Sequence, residues 1–290
     1  MRYGKDRKLK MMFKSVLAAV AAATAMTGVL TGCGGGTGFP PVITAVKVES
    51  MVFGRTATLS LGGKDLRSSL VVNSGGACTE PSFAANSSTD VLVLNCTVKK
   101  VGDFVLDVQD ANGKLIYSTT LTVPKPQVAL IMASGSITLE LDPIKAPATV
   151  DNFLYYVRQG YYSNTLFHRV IPGFVVQGGG YTTGMVKKAG QVAPIVLETS
   201  LGGPSNLRTT VAMARTNVAN SATSEFFINL VDNTFLDFRS TASPGYAVFG
   251  TVVKGMDQAD LIATQPTGVV NGFTDVPLTE VAISMALQVQ

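Results

Sequence analysis

The stretch FHRVIPGFVVQGGG, residues 167–180, decides the fold prediction and the first functional hypothesis. A Pro-Gly pair in its middle is a turn signal, and the alternation on either side predicts a strand before it and another after it. Arg169 and Gln177 flank the turn, with Phe174 and Val175 between them. A positively charged donor beside two bulky apolar side chains suits a ligand that is mostly apolar and presents one carbonyl group.

Composition restricts the classes of protein that the chain can belong to. Of its 290 residues 46% are hydrophobic and only 14% are charged, so it can bury a large core and global disorder is excluded. The first 32 residues carry six Lys or Arg and one Asp, a net charge of +5. Since the whole chain has a formal net charge of +4, the remaining residues carry a net charge of about −1. A basic nucleic-acid-binding protein is therefore excluded, and we expect no nucleic-acid partner.

The N-terminus has the pattern of an export signal. Basic residues at positions 2, 5, 7, 8, 10 and 14 precede an Ala-rich apolar run, residues 16–26, and then LTGC at residues 30–33. Small residues before a cysteine resemble the lipobox of bacterial lipoproteins, in which that cysteine is acylated. We therefore predict a lipoprotein signal peptide over residues 1–32 and a lipidated tether over residues 33–41 that begins at Cys33.

Two alternatives remain for this segment: a plain signal peptide with a chance cysteine, or a short transmembrane anchor, although the apolar run falls short of the ~20 residues that span a bilayer. A lipid anchor at Cys33 places the protein in the cell envelope, facing the periplasm. Gly34, and not Asp, follows the cysteine, which favours the outer membrane over the inner one.

Two further cysteines, Cys78 and Cys96, are left once Cys33 is set aside. An exported compartment permits a disulfide between them, and closing that loop would add about 3 kcal/mol in the chain-entropy account. Two unpaired buried thiols are the alternative. A metal site is poorly supported because neither cysteine has a nearby His or a CxxC partner.

The chain divides at Pro124-Lys125-Pro126, since two prolines in three residues favour an extended connector. Residues 42–123 are predicted to be all-β: residues 103–110 alternate, Asn112-Gly113 is a hairpin signal, residues 114–123 return the chain, and residues 58–61 and 91–94 suggest two more strands. We predict a small β-sandwich, for which an immunoglobulin-like arrangement is one candidate, acting as a spacer or interaction module.

Residues 127–290 form the second predicted domain. A hairpin is expected around Ser134-Gly135, a helix from Pro147 to Gly160 and a shorter helix over residues 256–263. Residues 209–213, 226–230 and 247–253 are strand-like. Two helices on a many-stranded antiparallel sheet suggest a closed barrel with helices at its ends, so the whole chain is predicted to be mainly β.

Several long motifs of this second domain stand in a fixed order: TVDNFLYYVRQGYY, FHRVIPGFVVQGGG, TTVAMART, NSATSEFFINL, NTFLD and GYAVFGTVVKGMD. They resemble the cyclophilins, the peptidyl-prolyl cis-trans isomerase family, and most closely the periplasmic cyclophilins of Gram-negative bacteria. The resemblance covers nearly all of residues 127–287. It implies an eight-stranded antiparallel barrel with two capping helices and a substrate groove on the outer surface of the barrel.

The resemblance also implies roles for individual residues in that groove. It assigns catalytic roles to Arg169, Phe174, Gln177 and Phe227, and substrate contacts to Val175, Met213, Ala214, Arg215, Glu225, Phe235, Leu236 and Tyr246.

Four of these positions depart from the best-known eukaryotic pattern. Val175 replaces a methionine, Phe235 a tryptophan and Tyr246 a histidine, and the tryptophan replacement implies weak inhibition by cyclosporin. Glu225 stands where the family usually has Gln, and it could add a negative charge beside Arg169. Bacterial relatives share aromatic replacements of this kind, so catalysis is still expected.

The implied activity is isomerisation of X-Pro peptide bonds in exported or envelope proteins, with proline-containing polypeptides as partners. We expect a monomer and no metal or cofactor. The alternative is a binding module or chaperone without useful turnover, which Glu225 would favour if it occupied the donors of Arg169. Without the resemblance, Phe174, Phe227 and Leu236 are more simply barrel core and Arg169 a surface residue. His168, the only histidine, is interpreted as structural, and no G-x-S-x-G motif supports a hydrolase.

Overall fold

The computed structural model describes residues 39–66 and 69–290, in which the protein is mainly β with two α-helices. The predicted signal peptide, Cys33 and most of the tether lie outside the described residues. Among the residues described, no helix has both the length and the apolar character needed to cross a membrane.

The first part of the chain is a sandwich of two antiparallel sheets. One sheet has the strand order β1-β2-β5-β4 and the other β3-β6-β7. Leu59 faces Leu94 across the β2–β5 ladder, and both belong to the same core cluster as Leu106 and Val108 of the second sheet. The predicted sandwich is therefore confirmed. The seven strands are β1 Val42–Glu49, β2 Thr56–Lys64, β3 Val71–Asn73, β4 Cys78–Phe83, β5 Val91–Val98, β6 Gly102–Gln109 and β7 Leu115–Val123.

Cys78 and Cys96 form a disulfide, so the structure has the paired arrangement of the two that the sequence allowed. Their Cα atoms lie 5.4 Å apart on the neighbouring strands β4 and β5. Because β4 pairs only with β5 in its sheet, the bond ties the edge strand to the interior of the sandwich.

The second part of the chain is a closed antiparallel barrel with two small hairpins outside it. Its eight strands follow the order β10-β11-β15-β14-β16-β9-β8-β19, which confirms the predicted barrel. The pairs β12–β13 and β17–β18 form the hairpins. In chain order the elements are β8 Gln127–Met132, β9 Gly135–Leu141, α1 Pro147–Arg158, β10 Thr165–Ile171, β11 Val175–Gly178, β12 Tyr181–Thr182, β13 Val186–Lys187, β14 Thr210–Met213, β15 Phe226–Asn229, β16 Val248–Lys254, α2 Met256–Ala263, β17 Thr267–Val270, β18 Phe273–Pro277 and β19 Ala282–Gln288.

Both predicted helices are present, and α1 shows why. Pro147 opens the helix, where its missing N–H costs nothing, and Gly160 beyond its end takes a positive φ of 64°. Phe153, on the buried face, packs its ring 5.5 Å from that of Phe226 and 5.1 Å from that of Phe249, centroid to centroid. These aromatic contacts join the helix to the interior of the barrel.

The sandwich and the barrel touch within one compact unit, residues 41–290. The backbone oxygen of Phe53 accepts hydrogen bonds from Arg158 Nη2 at 3.2 Å and from Gln288 Nε2 at 3.0 Å. Gly54, with a φ of 71°, lies so close that a Cβ there would run into the Arg158 guanidinium. The division into separate domains at residues 42–123 and 127–290, and the role of the sandwich, stay predictions.

Candidate active site

One row of side chains crosses the outer face of the barrel. The register pairs Arg169 with Gln177, Gln177 with Phe227, Phe227 with Ala212 and Ala212 with Val248, across five neighbouring strands. Residues directly opposite each other in antiparallel strands point to the same face. A guanidinium and an amide therefore stand at one end of a row whose other members are apolar.

Three members of this row, Arg169, Gln177 and Phe227, line a cleft of about 390 Å³. Val175, Ala212, Phe227 and Val248 make a small buried cluster of their own, separate from the barrel interior. Phe227 is only 4% exposed and meets the Tyr246 ring edge to face at 5.6 Å. The residues that line the cleft are Arg169, Phe174, Val175, Gln177, Ala214, Arg215, Phe227, Leu236 and Tyr246.

Arg169 reaches the cleft because strand β10 carries a bulge. The register with β11 shifts between Phe167 and Arg169, so His168 is the extra residue and Arg169 is set directly opposite Gln177. Arg169 Nη1 donates to Gln177 Oε1 at 3.5 Å, and its Nε lies 3.8 Å from Asp275 Oδ2. The Arg169 side chain is 39% exposed, so it is held at the rim of the cleft while remaining open to a ligand.

Glu225 lies beside this row and contacts the side chains of Gln177 and His168. Gln177 Nε2 donates to Glu225 Oε2 at 3.0 Å, and His168 Nε2 lies 3.2 Å from the same oxygen. A carboxylate only accepts hydrogen bonds, so it turns the amide N–H₂ of Gln177 towards itself and the amide oxygen towards Arg169. The hypothesis that Glu225 occupies the donors of Arg169 is wrong, because the carboxylate that pairs with Arg169 is Asp275.

The environment of Glu225 also sets its acidity. Burial of the carboxyl would raise its pKa, but hydrogen bonding to His168, the charge of His168, the Gln177 amide and the charge of Lys187 together outweigh burial. The pKa of Glu225 therefore lies below its ordinary value, and the group is an anion at neutral pH. His168 is 4% exposed and packs against the Tyr181 ring, which suits a structural residue.

Most of the residues predicted for the groove line the cleft, but three of them lie elsewhere. Met213 is a correction: it pairs with Phe226 and its side chain belongs to the interior core, because alternation along β14 turns Ala212 outward and Met213 inward. Phe235 lies at the rim, 57% exposed and stacked on Phe174 at 5.7 Å. Glu225 acts behind the wall of the cleft, through Gln177.

Arg215 is the second cation of the cleft, and it is committed to other partners. Its guanidinium lies 4.5 Å above the centre of the Tyr246 ring, and its Nε donates to the Gly245 oxygen at 2.9 Å. Its Nη1 donates to the Thr216 oxygen at 2.8 Å. Arg215 therefore fixes the wall of the cleft, whereas Arg169 is the cation that faces a ligand.

Three residues of the site were not predicted from the sequence. Ala212 and Val248 pack with Phe227 in one buried cluster. Alternation along the neighbouring strands would have indicated them only if the register were known. Asp275 lies on hairpin β17–β18, which was not predicted from the sequence. The dipeptide Asn271-Gly272 between apolar residues is the signal that would have found this hairpin.

The arrangement can hold an apolar ring against Phe227 and present a charged hydrogen-bond donor at its edge. Neither a general base nor a nucleophile with an activating partner lines the cleft. In residues 39–66 and 69–290, no three side chains of His, Cys, Asp or Glu cluster in a way that could hold a metal ion.

Comparison with known proteins decides the family. The family model described as "Cyclophilin type peptidyl-prolyl cis-trans isomerase/CLD" matches residues 127–287, more than half of the chain. The chain belongs to the cyclophilin family. Its relatives carry the activity in their names, and this cyclophilin is a peptidyl-prolyl cis-trans isomerase.

Two relatives and one solved structure illustrate the similarity. Peptidyl-prolyl cis-trans isomerase A of Dickeya dadantii (strain 3937) is 49% identical over 159 residues, 55% of this chain and 82% of that protein. Peptidyl-prolyl cis-trans isomerase B of Escherichia coli (strain K12) is 50% identical over 151 residues, 51% of this chain and 91% of that protein. The crystal structure of a cyclophilin type isomerase of Cryptosporidium parvum aligns with a TM-score of 0.47 at 23% identity, covering 57% of this chain and 98% of that one.

The contacts of Glu225 predict how the enzyme responds to Glu225→Gln. Because Glu225 does not compete for the Arg169 donors, we expect no large rise in turnover of a short X-Pro peptide. A fall of up to about threefold is expected, since a glutamine no longer fixes which end of the Gln177 amide faces Arg169. Peptide isomerisation rates of the two proteins check this, and a tenfold increase in the variant would restore the hypothesis of a damped groove.

The lowered pKa of Glu225 predicts a loss of stability in acid. A carboxyl whose pKa is lower in the folded state than in the unfolded state stabilises the fold at pH values above its unfolded pKa, ordinarily 4.5. This contribution is lost as the pH falls through the folded pKa. The free energy of unfolding should therefore drop more steeply between about pH 5 and pH 3 in the parent protein than in Glu225→Gln. Denaturant titrations at several pH values measure both slopes, and parallel curves would contradict the assignment.

Proposed function

We propose that this cyclophilin isomerises X-Pro bonds by stabilising the twisted transition state with Arg169, while the apolar cleft around Phe227 holds the proline ring. The observation that carries the proposal is the cross-strand row, which places the half-exposed guanidinium of Arg169 two strands away from Phe227 on the same face of the barrel. A donor and an apolar floor in one row can act on two parts of a single prolyl residue.

The chemistry of the reaction needs no more than this arrangement. Amide resonance gives the X-Pro bond a rotation barrier of about 18–20 kcal/mol, and uncatalysed exchange takes roughly tens to hundreds of seconds. In the twisted transition state conjugation is lost and the prolyl nitrogen gains a lone pair that can accept a hydrogen bond. A donor at that nitrogen stabilises the transition state more than either planar ground state, which is the condition for catalysis.

Gln177 and Glu225 support the donor without taking part in a proton transfer. Gln177 accepts a hydrogen bond from Arg169 Nη1 with an amide oxygen that Glu225 keeps turned towards it. Arg169 stays protonated at every physiological pH, so the donor is always present. The alternative, a binding module without turnover, was favoured only if Glu225 occupied the donors of Arg169. Glu225 binds Gln177 and His168 instead, so this support is lost.

The test of this function is the cis-to-trans exchange rate of a short X-Pro peptide with residues 39–290 as the enzyme. Acceleration that a second proline-containing peptide inhibits competitively supports the cleft as the place of reaction. An exchange rate equal to the spontaneous one at micromolar enzyme would overturn the proposed mechanism for this chain.

We further propose that the enzyme works in the cell envelope, on exported proteins, anchored by a lipid at Cys33. Support comes from the basic and apolar leader that ends in LTGC, and from the disulfide Cys78–Cys96, which suits an oxidising compartment. Expression of the full sequence in a Gram-negative host, beside Cys33→Ser, tests this. The parent is expected in the membrane fraction and the variant in the soluble fraction, and an identical distribution of the two would contradict the anchor.

A further inference from the structure

Hairpin β17–β18 contains a bulge beside the active site. Its ladder pairs Gly268 with Val276 and Val270 with Phe273, so two residues of β18 face a single residue of β17. Asp275, the second of the two, has a φ of 60°. That left-handed conformation is uncommon for a residue with a Cβ, although Asp and Asn tolerate it better than others. Bulges recur next to active sites, where they redirect a side chain.

The redirected side chain points at the catalytic machinery. Asp275 Oδ2 lies 3.8 Å from Arg169 Nε, and each of the two side chains is 39% exposed. The same oxygen accepts a hydrogen bond from Thr274 Oγ1 at 3.2 Å, which restrains the carboxylate. An unusual backbone conformation thus coincides with a carboxylate placed against the guanidinium proposed to act on the substrate, and such outliers often mark functional positions.

The hairpin itself is fastened to the barrel near Arg169. The Phe273 ring meets the Tyr181 ring edge to face at 5.1 Å, and Tyr181 in turn packs 4.7 Å from the His168 ring. Asn271 Nδ2 donates to the Gly184 oxygen at 2.8 Å. These contacts fix the turn end of the hairpin, so Asp275 approaches Arg169 from a supported element and not from a free loop.

The guanidinium is consequently restrained from two sides. Asp275 lies 3.8 Å from Nε and Gln177 accepts from Nη1, so these two partners leave the other Nη hydrogens available. We propose that Asp275 is a positioning residue of this isomerase: its carboxylate holds Arg169 Nε so that the Nη donors stay directed at the cleft. The inference rests on the proposed role of Arg169 and extends it.

The test is Asp275→Asn, because asparagine keeps the shape of the side chain and tolerates the left-handed backbone but lacks the charge. For a short X-Pro peptide we expect kcat to fall about threefold to fivefold, the range of an exposed ion pair, with KM changed less than about twofold. The dependence of kcat on salt should also weaken, since screening by salt already loosens the pair in the parent protein.

The matched control is Asp260→Asn. Asp260 pairs with Arg208 at 2.7 Å, and the side chains of that pair are 47% and 42% exposed, much as in the pair at the active site. Neither residue lines the cleft. The control is expected to leave kcat and its salt dependence unchanged, so a fall confined to Asp275→Asn is not a general effect of breaking a surface ion pair.

Arg169→Ala, alone and combined with Asp275→Asn, separates this inference from the function on which it rests. If Asp275 acts through Arg169, Asp275→Asn lowers kcat in the parent and has no further effect once Arg169 is alanine. The positioning role is overturned if Asp275→Asn keeps the parental kcat, or if it lowers kcat equally in the parent and in Arg169→Ala. In either case the loss of activity in Arg169→Ala itself would still support the proposed function. Full activity in Arg169→Ala instead overturns the proposed function.

Discussion

Replacing Arg169 by alanine is expected to lower kcat/KM for a short X-Pro peptide by about two to three orders of magnitude, the usual cost of removing one preorganised donor from a transition state. No neighbouring group can substitute for it. Arg215, the other cation of the cleft, is held in place because its Nε and Nη1 donate to the Gly245 and Thr216 oxygens and its charge lies over the Tyr246 ring. The loss should fall mainly on kcat, because the apolar floor that binds the proline ring is untouched.

Arg169→Lys is the matched variant for this prediction. Lysine keeps the positive charge but has no planar fork, so it cannot reach Gln177, Asp275 and the cleft together. An intermediate rate is expected, closer to that of alanine than to that of the parent. Because Arg169 is half-exposed and lies outside the core, both variants should unfold at the same denaturant concentration as the parent. Parental turnover in Arg169→Ala would remove Arg169 from the mechanism.

The elements of the barrel were predictable wherever a local pattern carries the information. Helix α1 is indicated by Pro147, an apolar stripe and Gly160. Helix α2 covers residues 256–263, as predicted. Strands β14, β15 and β16 lie within a residue of their predicted bounds. In each case the signal is a period or a turn residue a few positions away, which needs no knowledge of tertiary contacts.

The contacts that could not be predicted from the sequence depend on which strands are neighbours. The partner of Arg169 is set by a bulge in β18, about a hundred residues further along the chain, and the partners of Glu225 by the register of β15 on β11. Neither register can be inferred from one strand alone. Met213 is a different case: consecutive residues of an extended segment face opposite sides, so the predicted residues Met213 and Ala214 could not both face the groove. The motif identified the segment correctly, and alternation should have divided it.

The same alternation predicts that alanine at one of two adjacent phenylalanines mainly lowers stability, whereas alanine at the other mainly lowers activity. Phe226 is fully buried in the barrel interior beside Phe153, whereas Phe227 forms the floor of the cleft. Phe226→Ala is expected to cost about 3–5 kcal/mol of unfolding free energy, the usual result of emptying a core site. Phe227→Ala should instead lower kcat/KM by about 30-fold to 150-fold, equivalent to the roughly 2–3 kcal/mol that a buried aromatic contact with the proline ring contributes.

The two variants control for each other, since they remove the same side chain from adjacent positions of one strand. Where Phe226→Ala proves too unstable to assay, Phe226→Leu keeps most of the volume and still loses the ring contact with Phe153. Denaturant unfolding and peptide isomerisation, measured on both sites at a temperature where both are folded, give the comparison. If Phe226 variants lost catalytic efficiency at unchanged stability while Phe227 variants kept it, strand β15 would have to be turned by one residue, and the cleft would not be the place where the proline ring binds.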